Sequence, residues 1–441
     1  MVYGLQRVQS NKFIRGVGSH LELCHYNAIM SQYSQNNAWN VKSHATNCMT
    51  NNNNKNNGFR VRAFADCKLL DDERFCVFCN NFLVAYYECR KKKRSSPSEI
   101  YYEMNGVSNT LHLALDVYTY NYIIKPSICF IIYIPTIREV FAANFADRVC
   151  HVWVAMRLEP MLEKYLPDAI NANRRGKGTS GAVMLCHRMI QKGGWIWKFD
   201  IQGFFMAIDK RLLWSRLEPF AGQYDGWERP WFMYVLKMTV FNCPQYNCIR
   251  ACHPRCWDRL PRNKSLFNND KWHGLPIGDL PSQMLVGFYI APFIVLMMSM
   301  GYDVSNYVDD TTCRSDSKEK ILHDIPFFRR VLKESYQLVL HPKKCYIQHT
   351  SKGVTFLGVI IKPNRMYCGH QTIRNAFKKE LPKSLKKARA SINSYLGYMG
   401  QYTTYKLRRM LADKCFKKYK GRVYFGKSYR KMVIKKKIPQ K

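Results

Sequence analysis

An α+β fold of two or three packed subdomains is what this 441-residue sequence predicts, and three observations carry that prediction. The chain is long enough to bury a large core. Its hydrophobic fraction of 47% and aromatic fraction of 14% are those of a folded protein. Runs with strand character, Tyr118 to Pro135 and Gly194 to Ile201, are interspersed with helical stretches, and the region after Ile361 turns basic and helical.

The charge narrows the choice of partners. Sixty-nine Lys+Arg against 31 Asp+Glu leave +38, an excess that needs a polyanion to neutralise it. Nucleic acid is the first candidate and a membrane surface the second. The apolar run Ile128 to Ile134 is too short for a bilayer span, so a buried strand and no membrane are expected. The N-terminus shows no signal-peptide pattern. Seventeen cysteines, an odd number without small-domain spacing, point to reduced thiols in a cytoplasmic enzyme.

In chain order, residues 1–65 stand apart. Asparagine dominates between Asn36 and Asn57, with Asn51 to Asn54 unbroken. A disordered low-complexity segment is one reading. The genetic code offers another, because Asn codons begin with two adenines and end in a pyrimidine, so randomising the adenines never creates a stop. From Leu70 the composition becomes globular. Phe75 to Cys89 reads as an amphipathic helix, and the basic run Arg90 to Arg94 as its solvated end or a contact to a nucleic-acid backbone. Tyr118 to Pro135 suits strands, and Asp147 to His151 leads into a helix ending near Pro167. The segment Asn173-Arg174-Arg175-Gly176-Lys177-Gly178-Thr179 joins cations to glycines that let a backbone approach a phosphate; it reads as a triphosphate clamp or as an ordinary surface turn.

Gly194 to Ile201 delivers Asp200 at a strand end, and Gln202 to Lys210 then turns into a helix, with Asp209 as its cap. Tyr307-Val308-Asp309-Asp310 suits a tight hairpin that presents two carboxylates side by side. Adjacent carboxylates repel, so something positive must sit between or beside them, and hard divalent cations favour such oxygen donors. Alone, the four-residue pattern also reads as a solvated turn. Cys243, Cys248, Cys252, His253 and Cys256 lack the paired Cys-x-x-Cys spacing of common zinc sites, so they read as free thiols of an insertion loop, with a zinc site as the alternative.

Asp200 with Phe204-Phe205, Gly274 to Gln283, Tyr307 to Asp310, the lysine of His341-Pro342-Lys343-Lys344, and Gly353 to Gly358 resemble, in order and spacing, the palm motifs of reverse transcriptases. The resemblance covers about Leu70 to Ala412. Ile277-Gly278-x-x-x-Ser282-Gln283 is similar to the diversity-generating retroelement branch, where group II intron enzymes usually carry Gln-Gly-x-x-x-Ser-Pro. The Asn-rich segment likewise resembles a translated template repeat of such an element.

The resemblance implies a right-hand polymerase fold, with fingers and palm over 70–365, a helical thumb over 366–412 and a mobile basic tail over 413–441. It implies RNA-templated DNA synthesis, error-prone at template adenines through the apolar Ile277, in mutagenic retrohoming. Asp200, Asp309, Asp310 and the Ile201 carbonyl would hold two Mg²⁺ ions, or Mn²⁺ in their place. Lys344 would be the general acid, and Arg174 and Lys177 would contact the triphosphate. Phe205 would pack against the sugar, while Ile277, Gly278, Ser282 and Gln283 line the nucleotide and template pocket. Phe356, Leu357 and Gly358 would form the primer grip. Implied partners are template RNA, a DNA primer, dNTPs and a small basic accessory protein. A retron, group II intron-like or abortive-infection reverse transcriptase is the alternative, and a catalytically silent RNA-binding scaffold a further one.

Overall fold

The computed structural model describes residues 72–91, 97–133, 136–378 and 380–435. The Asn-rich segment, most of the basic run after Arg90 and the lysines 436–437 lie outside them. The described elements are α1 (Glu73–Arg90), α2 (Pro97–Glu103), α3 (Gly106–Tyr118), β1 (Ser127–Ile132), β2 (Arg138–Ala142), α4 (Phe145–Tyr165), α5 (Gly178–Gln191) and β3 (Trp195–Asp200). Then come α6 (Phe204–Ala207), α7 (Lys210–Ala221), α8 (Arg229–Phe241), β4 (Cys248–Arg250), α9 (Leu280–Ser299), β5 (Asp303–Tyr307), β6 (Asp310–Ser315) and α10 (Lys318–Tyr336). The chain closes with β7 (Tyr346–His349), β8 (Val354–Phe356), β9 (Val359–Lys362), β10 (Arg365–Cys368), α11 (His370–Lys378), α12 (Leu385–Met399), α13 (Tyr405–Tyr419), β11 (Val423–Phe425) and β12 (Met432–Ile434).

These elements form two compact units. Of the described residues, one comprises those between 72 and 161 with 214–271 and 276–281; the other comprises 162–213, 272–275 and those between 282 and 435. In the first, helices pack around an aromatic core. Phe78 lies 5.1–5.5 Å, ring to ring, from Phe82, Tyr118, Trp153 and Trp231. Such ring clusters add orientation-specific stability to their burial. Arg157 lies 3.9 Å over the Trp153 ring and pairs with the buried Glu228 at 2.7 Å, so neither charge is left unpartnered. A three-stranded sheet, β2-β1-β4, completes this unit. Among the described residues of the run Tyr118 to Pro135, where strands are expected, the strand is β1, since α3 runs through Tyr118 and Tyr120 (φ 59°) turns the chain out of it.

The second unit is built on an antiparallel sheet of order β5-β6-β3-β7. Alternation along β3 sends Trp197 and Phe199 to one face, where they meet Phe328 and Phe293. Ile196, Lys198 and Asp200 then share the opposite face. On that side Ile196 joins a buried cluster with Val183 of α5 and with Val354, Phe356, Val359 and Ile361 of the β8–β9 hairpin.

Two expectations are corrected here. No apolar run of bilayer-spanning length is expected from the sequence, yet α9 is one by length and composition; 72% of its apolar window is buried, as in a core helix. The segment after residue 412, expected as a mobile tail, is folded through residue 435. Cys415, Tyr419, Val423 and Met432 are buried against Ile392, Leu396 and Leu411, and the Asn393 side chain hydrogen-bonds both backbone groups of Met432. Apolar residues spaced among the lysines supply a core that net charge conceals.

Candidate active site

The β5–β6 hairpin has a two-residue tip, Val308-Asp309, with Tyr307 paired to Asp310. Val308 has φ 60°, a left-handed conformation costly for a β-branched residue. Its neighbours hold it there. The Asn306 side-chain amide donates to the Val308 carbonyl (3.0 Å) and to Thr311 Oγ1 (2.8 Å), and the Ile201 amide donates to the Asp309 carbonyl (3.2 Å).

Antiparallel pairing of β3 with β6 sets Asp200 directly opposite Asp310. Like charges in that relation repel. Two lysines offset the repulsion. Lys344 Nζ donates to Asp200 Oδ2 at 2.7 Å, and Lys198 Nζ lies 3.3 Å from Asp310 Oδ1. Asp200 is held further by its own carbonyl, which accepts from the His341 amide at 2.7 Å. Burial alone would lower the Lys344 pKa, but the hydrogen bond to Asp200 and the charges of Asp200, Asp309 and Asp310 raise it above the ordinary lysine value. The ammonium therefore keeps its proton. No three His, Cys, Asp or Glu side chains converge as a metal cage among the described residues.

Lys198 was missed from sequence. It precedes Asp200 by two positions, so strand alternation puts both on one face, and that spacing was the available signal. Beyond Asp310 it donates to the Thr355 carbonyl at 3.0 Å, in the strand before the β8–β9 turn. Phe356 is fully buried and supports that turn from beneath, whereas Leu357 and Gly358 form its tip, both at positive φ.

Arg174 is placed otherwise than expected. Its guanidinium bonds the Glu163 carboxylate through Nε and Nη2, the Pro167 and Ile170 carbonyls through Nη1, and the Glu163 carbonyl through Nη2. A guanidinium has five N–H donors and all are engaged, so Arg174 braces the loop after α4 and has none to spare for a triphosphate. Lys177 differs. It precedes α5 and pairs with Asp168 at 2.8 Å, a carboxylate 96% exposed and readily exchanged for another anion.

The other residues lie as follows. Phe205 is half-buried in α6, and its carbonyl accepts from the Leu275 amide. Gly278 has φ 131°, and a Cβ there would stand 2.2 Å from the Phe141 carbonyl oxygen, so the glycine is obligatory at this close approach. The Ile277 carbonyl accepts from the Phe141 amide. Ser282 is buried in the first turn of α9, and the next carbonyl, of Gln283, accepts from Asn173 at 2.9 Å. Asp209 caps α7, accepting from the Arg211 and Leu212 amides.

Residues 125–361, more than half of the chain, match the family described as reverse transcriptase (RNA-dependent DNA polymerase). No curated protein matches the chain. Among solved structures, a telomerase from Candida albicans in complex with a TWJ fragment of telomeric RNA is similar at 10% identity and a TM-score of 0.41, over 67% of this chain and 54% of that one. Apo telomerase from Candida tropicalis is similar at 9% identity and a TM-score of 0.43, over 67% of this chain and 59% of that one. The chain thus spans little more than half the length of either. Because the family match runs through every motif from the Arg174 loop to the β8–β9 turn, the chain belongs to the reverse transcriptase family and has its right-hand polymerase fold, α+β in composition.

Proposed function

We propose that this chain copies RNA into DNA by nucleotidyl transfer at the carboxylates of β3 and the β5–β6 hairpin. The observation that carries the proposal is the opposition of Asp200 and Asp310 across two paired strands, with the Asp309 carbonyl tied to the Ile201 amide beside them. These are hard oxygen donors in a cluster whose charge already draws two ammonium groups, which fits divalent cations. Two Mg²⁺ ions, or Mn²⁺, held by Asp200, Asp309, Asp310 and the Ile201 carbonyl would supply activation of the primer 3′-hydroxyl and neutralisation of the triphosphate.

The chain's own residues would do the rest. Lys344, kept protonated by its acidic neighbours, would give its proton to the departing pyrophosphate. Lys177 would exchange Asp168 for a triphosphate oxygen. Phe205 would close the sugar's 2′ side, and Leu357 with Gly358 would position the primer. Ile277, Gly278, Ser282 and Gln283 would shape the template and nucleotide pocket. Template RNA, a DNA primer and dNTPs are the substrates in this reading.

A finer reading places the chain among the enzymes of diversity-generating retroelements, acting in mutagenic retrohoming with a small basic accessory protein. The apolar Ile277 and the Asn-rich residues 36–57 support it. Primer extension on an RNA template, with Asp309→Ala as control and sequencing of the product, tests both levels. Extension that the control lacks, with errors concentrated opposite adenines, is the expected result. Faithful product would favour a retron or intron-like enzyme, and no product from the wild type would overturn the polymerase reading.

A further inference from the structure

Between α8 and α9 the first unit carries a segment, residues 242–271, that the proposed chemistry does not use. Its construction is unusual. The carboxylate of Glu139 on β2, fully buried, accepts from Trp257 Nε1 (2.7 Å), Ser265 Oγ (2.8 Å) and the Leu266 amide (2.8 Å). Burying a carboxylate is costly unless several donors satisfy it, and here all three donors come from this one segment. Arg250, itself exposed, lies over the rings of Phe267 (4.0 Å) and Trp257 (5.3 Å). The Ala251 amide ties the segment to β1 through the Cys129 carbonyl at 2.8 Å. What results is a run of 3₁₀ turns, Pro254–Arg259, Arg262–Lys264 and Leu266–Asn268, fixed from beneath.

The outer side of these turns is cationic. Arg255, Arg259, Arg262 and Lys264 are all exposed, and none forms a salt bridge with another described residue, although Asp258 lies in the same turns. A rigid scaffold that presents cations without acids to quench them is suited to a polyanion. Three of the four are arginines, whose planar donors match phosphate oxygens in pairs. We infer that this segment is a second RNA-contact surface, one that grips the phosphate backbone of the substrate RNA outside the carboxylate centre. The inference rests on the polymerase reading for the choice of RNA as partner.

The test uses the full chain and a triple variant, Arg255→Gln with Arg259→Gln and Arg262→Gln. A control, Arg329→Gln with Arg330→Gln and Lys333→Gln, removes the same charge from the exposed side of α10. RNA binding is measured by fluorescence anisotropy over a range of salt, and extension on a short pre-annealed template and primer is measured beside it. Loss of three phosphate contacts should lower the slope of log affinity against log salt by about 2 and weaken binding by about tenfold at low salt. The control should change less, and short-duplex extension should be unaltered in the triple variant. Unchanged RNA binding, as an acidic protein partner for this surface would give, overturns the inference, as does an equal loss in the control. Extension lost from the wild type itself would instead indict the polymerase reading.

Discussion

Val308-Asp309 and Leu357-Gly358 are two-residue hairpin tips in the same unit, and both begin with a residue at positive φ, 60° and 49°. They differ in how the geometry is met. At the second tip Gly358 continues at φ 79°, so both residues are left-handed, as in a turn whose twist matches its strands. At the first tip a β-branched valine occupies the position that glycine fills most easily. Backbone strain of this kind costs about 1–3 kcal/mol and persists only where the surroundings over-determine it. Asn306, Ile201 and the β3–β6 pairing do so here. The comparison teaches that both tips strain their first residue, and that the tip delivering carboxylates does so with a β-branched side chain and no following glycine.

The largest effect expected from breaking this arrangement is chemical. Asp310→Asn should lower primer extension on the order of 10³-fold or more, since charge stabilisation is commonly the dominant catalytic term. Its melting temperature should hold or rise, because the substitution removes repulsion with Asp200. A variant that unfolds would attribute the loss to stability and defeat that reading. Next is Lys198→Gln, which strips Asp310 of its nearest ammonium and should cost on the order of tenfold in extension, the scale of a charged hydrogen bond. Unaltered extension would show that Lys198 plays no part in holding Asp310.

The two tips can then be contrasted directly by melting experiments. Asn306→Ala removes both bonds that clamp the strained tip and should destabilise by about 2–3 kcal/mol with a parallel loss of extension. Gly358→Ala puts a Cβ 3.2 Å from Tyr398 Oη on a left-handed backbone and should cost about 1–2 kcal/mol. The reverse order of cost would mean that the first tip does not depend on its clamp.

The smallest effect concerns Asp209. Burial alone would raise its pKa, but bonds from the Arg211 side chain and the Arg211 and Leu212 amides bring it below the ordinary carboxylate value. A depressed pKa stabilises the fold above the unfolded value, and that contribution is lost as pH falls through the folded one. Asp209→Ala should therefore cost about 1 kcal/mol at neutral pH, as for other helix caps. The gap should close in acid, and one that persists there would reject the charge-based account.

Much of the site could be read from residue order. The strand ending in Asp200 and the acidic hairpin are local patterns, each decided by alternation and turn chemistry within a few residues, whereas the turn at Gly358 was expected only through the family resemblance. The Arg174 loop was misread for the complementary reason. Cations beside glycines look like a phosphate clamp, but whether a guanidinium is free depends on Glu163 and the carbonyls of Pro167 and Ile170, which only the folded chain brings around it. The residues after 412 were misread because lysines dominate their composition, while the apolar spacing that buries Cys415 and Met432 shows its purpose only against α12.

By itself, then, the sequence determined the order of the motifs, the strand that carries Asp200, the acidic hairpin and a charge that demands a polyanion. Those follow from periodicity and local backbone preference, which act between near neighbours. The tertiary structure alone decided that Asp310 faces Asp200, that Lys198 and Lys344 neutralise them, and that Glu139 anchors a distant cationic segment. Each of these joins groups far apart in the chain. Electrostatics and hydrogen bonding act over a few ångströms of space, and the distance along the chain does not fix that separation.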